Sequence, residues 1–115
     1  LDGHTECVSI KFANKPTREE LINSWREFKG EPQALDLPMA PRSPIVYFEE
    51  DNFPQPKLHR DLDKGMAVSV GRLRECPIFD YKFTILSHNT IRGAAGAAIL
   101  NAELLVKKGL ISPQE

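Results

Sequence analysis

Two stretches of this 115-residue chain carry residue types that can do chemistry. The first is Asp2-Gly3-His4-Thr5-Glu6, where a histidine follows a glycine in a turn just before a strand. An imidazole titrates near neutrality, so His4 at a strand mouth suits general acid/base work. Read alone, it is equally a solvated turn histidine. The second runs from Ser87 to Leu105: a polar turn, Ser87-His88-Asn89-Thr90, opens into a segment with no bulky side chain between Arg92 and Ile99. Helix-start N–H groups at Asn89 and Thr90 attract anions such as phosphate, and either side chain can cap the helix. Capping does not account for Gly93 and Gly96, since glycine costs a helix about 1 kcal/mol relative to alanine. Close approach of a ligand or another backbone does. Together the two stretches read as halves of one active site.

Other candidates are weaker. Glu6 and Cys7 are neighbours on a strand and point to opposite faces, so His4, Glu6 and Cys7 do not form a ligand set, and no metal is expected. His59, Asp61 and Asp63 are spaced by two, but Lys57, Arg60 and Lys64 among them favour a salt-bridged loop over a cage. No nucleophile has a visible activating partner, and no GxGxxG follows a strand. These residues permit part of an active site, not a self-sufficient enzyme.

The elements that must position them follow from periodicity. Val8, Ile10 and Phe12 alternate with Cys7, Ser9 and Lys11 as a half-buried strand. Thr17 and Glu20 fit a capping box, Leu21, Ile22, Trp25 and Phe28 share a helical face, and Gly30 stops that helix. Four prolines stiffen residues 31–44. Ile45 to Phe48 reads as a strand, residues 49–65 as a long polar loop, Met66 to Leu73 and Phe79 to Leu86 as two further strands. A helix from about Thr90 to Lys108 closes the pattern, with Gly109 as terminator. The expected fold is α+β: a mixed, largely antiparallel sheet with one covering helix. The small-sided last helix fits that core poorly, so it is expected to dock on something outside this chain.

Bulk properties bound the partners. Fifteen basic and sixteen acidic residues leave a formal net charge of −1, which gives no electrostatic case for nucleic acid. No apolar run approaches the roughly 20 residues that span a bilayer. The two cysteines form no CxxC pair and read as buried free thiols in a reducing cytosol, so a cytoplasmic location is expected. The chain begins at Leu1 and not at methionine, so its natural start is expected upstream.

Five segments carry a family resemblance: Asp2 to Glu6; the acidic loop Glu49 to Asn52; Pro54 to Asp61; Gly65-Met66-Ala67-Val68-Ser69-Val70-Gly71-Arg72; and Ser87 to Gly96. They resemble the C-terminal part of aspartate-semialdehyde dehydrogenase, most closely its archaeal and fungal branch. The resemblance implies NADPH-dependent reduction of aspartyl 4-phosphate to aspartate 4-semialdehyde, on the route to lysine, threonine and methionine. In that chemistry a cysteine thiolate forms a thioester, hydride reduces it, and a histidine handles protons. The resemblance makes His4 that histidine, and places Asn89, Thr90 and Gly93 at NADP, near the nicotinamide. It assigns residues 1–86 to a catalytic and dimerisation domain, and residues 87–115 to a helix returning to a nucleotide-binding domain. The nucleophile, the nucleotide-binding glycines and the substrate arginine of the family would then lie upstream of Leu1, and neither Cys7 nor Cys76 matches the nucleophile's motif. The implied partners are the remainder of the same enzyme, a second copy in a homodimer or homotetramer, and a small-molecule substrate. Malonyl-CoA reductase shares the architecture and is the alternative activity; a non-catalytic dimerisation module is the alternative class.

Overall fold

Thr17 sets the first helix. Its hydroxyl accepts the Glu20 N–H at 3.2 Å, and Glu20 Oε2 accepts the Thr17 N–H at 2.8 Å. This reciprocal pair satisfies two of the orphan donors at a helix start, and helix α1 runs Arg18–Glu27. It stops short of Gly30. Phe28 already has extended backbone and is 51% exposed, so it does not join Leu21, Ile22 and Trp25 on the buried face. Gly30 instead opens the next helical turn, α2 (Glu31–Ala34), by donating its N–H to Gln33 Oε1 at 2.9 Å.

The computed structural model describes residues 2–112. Strands β1 (His4–Ile10), β2 (Ile45–Phe48), β3 (Val68–Glu75) and β4 (Tyr81–Ser87) form one sheet in the order β1-β4-β3-β2. Only β2 and β3 are parallel; the other two pairs are antiparallel. The expected α+β class, a mixed and largely antiparallel sheet under a covering helix, is therefore what the chain builds. Leu21 and Ile22 of α1 bury against Tyr47, Val70, Leu73 and Tyr81. Trp25 stacks on Tyr47 at 5.7 Å and meets Phe83 edge-on at 5.0 Å, two ring geometries that the aromatic quadrupole favours.

The long loop after β2 is not structureless. It forms two single helical turns, α3 (Pro56–His59) and α4 (Leu62–Gly65), and the latter has left-handed backbone at Asp63, Lys64 and Gly65. The Phe53 carbonyl lies against Gly71, where a Cβ would collide with it, so that strand position needs glycine. His59 packs its ring between Phe48 and Phe53, 4.4 and 4.5 Å away, and accepts the Gln55 N–H at Nδ1. Asp61 pairs with Arg60 at 3.3 Å, and Asp63 accepts the Arg42 N–H. His59, Asp61 and Asp63 thus serve the loop separately.

The left-handed turn has a consequence for β3. It delivers Met66 out of the strand, which begins at Val68, and buries it with Leu37 and Leu100 in a second cluster. The last helix also departs from expectation. Residues Ile91–Ala95 form a π-helical turn, and the α-helix α5 runs only Gly96–Lys107. It does find a seat in this chain: Leu100 is buried on Met66 and Leu37, and Glu103 Oε2 accepts the Met39 N–H at 2.9 Å. The cysteines are not buried. Cys7 is exposed on the edge strand β1, and Cys76 is half-buried in a turn where it accepts the Phe79 N–H at 3.4 Å. That donated bond, with another from the Ile78 N–H, holds the Cys76 thiol below the ordinary thiol range. No described helix is long and apolar enough to cross a membrane.

Candidate active site

The sheet register brings the two chemistry-bearing stretches together. β1 pairs with β4 to its very end, so His4 is the first strand residue, opposite Ser87, and not a turn residue. Strand pairing runs out there, and the chain needs another tie. Asn89 supplies it: its Oδ1 accepts the Gly3 N–H at 2.8 Å, across 86 residues of sequence. His4 and the start of the small-sided segment therefore sit at one end of the sheet, as expected.

His4 is exposed, and its Nε2 lies 3.0 Å from Glu6 Oε1. The two side chains share a face of β1 because they are two residues apart. Glu6 orients the imidazole, a role that the spacing alone could have revealed. With 65% and 54% of the side chains accessible, the pair contributes little to stability, about 0–1 kcal/mol. Its use is to fix where the ring points. Among the described residues no group of three His, Cys, Asp or Glu is placed to hold a metal.

The expected capping by Asn89 or Thr90 does not occur. Asn89 Oδ1 is spent on Gly3, and Thr90 makes no side-chain capping bond. His88 takes the role instead. It is 5% exposed, and its Nδ1 accepts the N–H groups of Thr90 at 3.3 Å and Ile91 at 3.2 Å. Its carbonyl accepts the Gly93 N–H at 3.0 Å. Histidine is not among the preferred capping types, so nothing local in the sequence marks this. The N–H groups of Thr90, Ile91 and Gly93 are thereby paired within the chain.

Asn89 has no acceptor for its amide NH₂ among the described residues, and Asn89, Thr90 and Gly93 are exposed. A Cβ on Gly93 would meet only the His88 carbonyl, at 3.7 Å, so the surface there is open. Gly96 is different: a Cβ would come within 2.5 Å of Met66 Sδ and 3.0 Å of the Ile91 carbonyl. Its smallness is used inside the chain. An unspent amide NH₂ on exposed Asn89 beside the open Gly93 surface leaves room for a flat polar group. An apolar groove of about 500 Å³ between Leu35–Pro38 and α5 is not lined by His4 or Asn89.

The family "Semialdehyde dehydrogenase, dimerisation domain" matches residues 1–92. The chain belongs to the semialdehyde dehydrogenase family. His4, Asn89 and Thr90 fall inside the matched part of that family's dimerisation domain, and Gly93 lies one residue past it. Aspartate-semialdehyde dehydrogenase of Aspergillus fumigatus is 50% identical over 115 residues, covering 96% of this chain and 32% of the relative. That of Methanothermobacter thermautotrophicus is 48% identical over 107 residues, covering 91% and 31%. The crystal structure of the Candida albicans enzyme with NADP superposes with a TM-score of 0.85 at 45% identity, covering 96% of this chain and 32% of that one. The chain spans about a third of the length of these relatives. The fungal and archaeal resemblance read from the sequence holds.

Proposed function

We propose that this chain provides the acid/base histidine and the nicotinamide-side wall of an NADP-dependent aspartate-semialdehyde dehydrogenase. The observation that carries the reading is the Asn89–Gly3 hydrogen bond, which joins the His4 strand to the open Gly93 turn. The names of the fungal and archaeal relatives support the activity, and the NADP in the Candida albicans structure supports the cofactor. Residues 1–86 are then part of a catalytic and dimerisation domain, and residues 87–115 a helix that returns to the nucleotide-binding domain. The exposed Ile99, Leu105 and Val106 on α5 support that docking, since clustered exposed apolar side chains usually mark a contact. A second copy of the chain is the proposed partner on the dimerisation side.

In this assignment His4, oriented by Glu6, accepts or returns a proton at the reacting acyl centre. Asn89 offers its amide NH₂ to the cofactor's carboxamide, and the lack of a side chain at Gly93 leaves room for the ring. NADPH, when bound, supplies hydride. The thiolate that holds the acyl group comes from elsewhere in the enzyme, because neither exposed Cys7 nor half-buried Cys76 lies in the site. Residues 1–115 alone are accordingly inactive, and phosphate-dependent reduction of NADP by them with aspartate semialdehyde would contradict this. In the complete enzyme, His4→Ala lowers kcat by roughly 10²–10⁴-fold. The thermal midpoint stays put, since His4 is an exposed residue. Near-normal turnover in a folded variant defeats the assignment.

A further inference from the structure

His88 takes no part in the chemistry proposed above, yet it is buried where the two halves of the site meet. Its ring is not held there by apolar packing alone. Nδ1 faces three donors: the Thr90 N–H at 3.3 Å, the Ile91 N–H at 3.2 Å and the Thr90 hydroxyl at 3.3 Å. A nitrogen that accepts N–H groups carries a lone pair, so the ring proton sits on Nε2. Nε2 faces Asp61 Oδ1 at 3.6 Å, too long for a direct hydrogen bond, with its N–H turned toward the carboxylate. Asp61 is itself gripped by Arg60 Nε at 3.3 Å, and Arg60 reaches the Asp2 carbonyl at 3.4 Å. The ring also lies against Gly65, whose left-handed backbone (φ 79°) and missing side chain leave it space.

The sequence offers a better capping residue one position on. Asparagine is a preferred N-cap, and Asn89 would serve if its oxygen were free. It is not free, because it holds Gly3. We propose that His88 is a positioning residue: by capping the π-turn in place of Asn89, it releases Asn89 to tie down the His4 strand and face the cofactor. The main chain of the same turn is wound as a π-turn. The His88 carbonyl accepts the Gly93 N–H and the Thr90 carbonyl the Ala95 N–H, each five residues on. That wider turn keeps Gly93 on the open surface.

This inference rests on the functional assignment for its kinetic readout, so the experiment has two arms. In the complete enzyme, asparagine at 88 keeps an acceptor the same number of bonds from the backbone as Nδ1, and leucine keeps bulk without an acceptor. His88→Leu should raise KM for NADPH about tenfold, the scale of one lost hydrogen bond. His88→Asn should stay within about threefold of wild type, because the capping acceptor survives. A pair of variants with equal KM, or a His88→Leu enzyme that loses thermal stability but keeps KM, overturns the proposal. The second arm needs no variant and no activity. In the wild-type enzyme the Thr90 and Ile91 amides should resist hydrogen exchange as groups bonded to a buried acceptor. Exchange as fast as that of an unpaired helix start overturns the proposal even if His88→Leu fails to fold. Wild-type enzyme with protected amides but no turnover of NADPH would instead reject the assigned activity and leave the capping role standing.

Discussion

The two long helices of this chain are held by opposite means. α1 is built from its own neighbourhood: Thr17 and Glu20 cap each other across three residues, and Leu21, Ile22 and Trp25 recur at the helical period over the sheet. α5 is built from a distance. Its entry turn is capped by His88 and fixed beside Gly3; its first residue, Gly96, is fitted to Met66; and its middle is pinned by Met39 and Leu37. The difference follows the work each does. α1 only closes a core, so any sequence obeying local rules suffices. The segment before α5 presents residues to a site in the assignment proposed above, and Asn89, its ordinary capping residue, is spent on Gly3. Local rules fail where a long-range tie has claimed the residue that would obey them.

Substitutions that test this contrast should separate stability from cofactor affinity. The largest loss is expected from Ile22→Ala, which empties a 4%-exposed site beneath α1. Large-to-small core changes of this kind cost about 2–5 kcal/mol. Urea unfolding should register the whole effect, and KM for NADPH should not move; a changed KM would mean that α1 is coupled to the site. Gly96→Ala comes next. The added methyl group meets Met66 Sδ at 2.5 Å and the Ile91 carbonyl at 3.0 Å, and the thioether can yield but the carbonyl cannot. Overpacking costs about 1–3 kcal/mol, and displacement of the π-turn should raise KM as well. A stable variant with normal KM would show that the entry turn is looser than its contacts suggest.

Thr17→Ala removes one half of the local cap and should cost about 1 kcal/mol. Activity should be unchanged. The partner of this bond adds a pH dependence. The Thr17 N–H holds the Glu20 carboxyl below the usual carboxylate range, so the carboxylate is favoured in the folded state. Its contribution is present above the ordinary carboxylate value and is lost as pH falls through the lowered one. Glu20→Gln should therefore flatten the acid side of the stability curve, whereas Thr17→Ala, which keeps the N–H and loses only the hydroxyl's bond to Glu20, should flatten it in part; an unchanged acid limb in Glu20→Gln would remove Glu20 from the account.

The same contrast explains what was legible in the sequence. The sheet strands, the capping box and the α+β class follow from alternation and from Thr17–Glu20, which are short-range signals. His4 and Asn89 stood out because Gly-His and the small-sided run are unusual, and the register of β1 on β4 brings them together. Three things were hidden. Met66 continues the β3 alternation, yet it leaves the strand because Asp63, Lys64 and Gly65 adopt left-handed backbone that no pattern announces. The cysteines read as buried by type, but burial depends on what the fold lays over each position, and neither Cys7 nor Cys76 is fully covered. His88 was passed over because its partners are backbone amides and a carboxylate brought in by the loop, and histidine is an uncommon cap.

The smallest stability effect is expected at Gly93, and it is the most pointed test of how the segment before α5 is used. Close approach at Gly93 was expected from the cost of glycine in a helix, but within the chain a Cβ there would meet only the His88 carbonyl at an ordinary 3.7 Å. Nothing in the described residues asks for glycine. Alanine should then stabilise the segment by up to about 1 kcal/mol by restricting the unfolded chain. If the open surface receives the nicotinamide ring, the methyl group intrudes on the ligand, and KM for NADPH rises while the thermal midpoint of the free enzyme also rises. A higher midpoint with unchanged KM would make Gly93 a surface glycine and move the cofactor away from this turn. A lower midpoint with unchanged KM would place another part of the enzyme against Gly93. Measuring both quantities on the one variant separates these outcomes, because the chain itself gives the added methyl group nothing to strike.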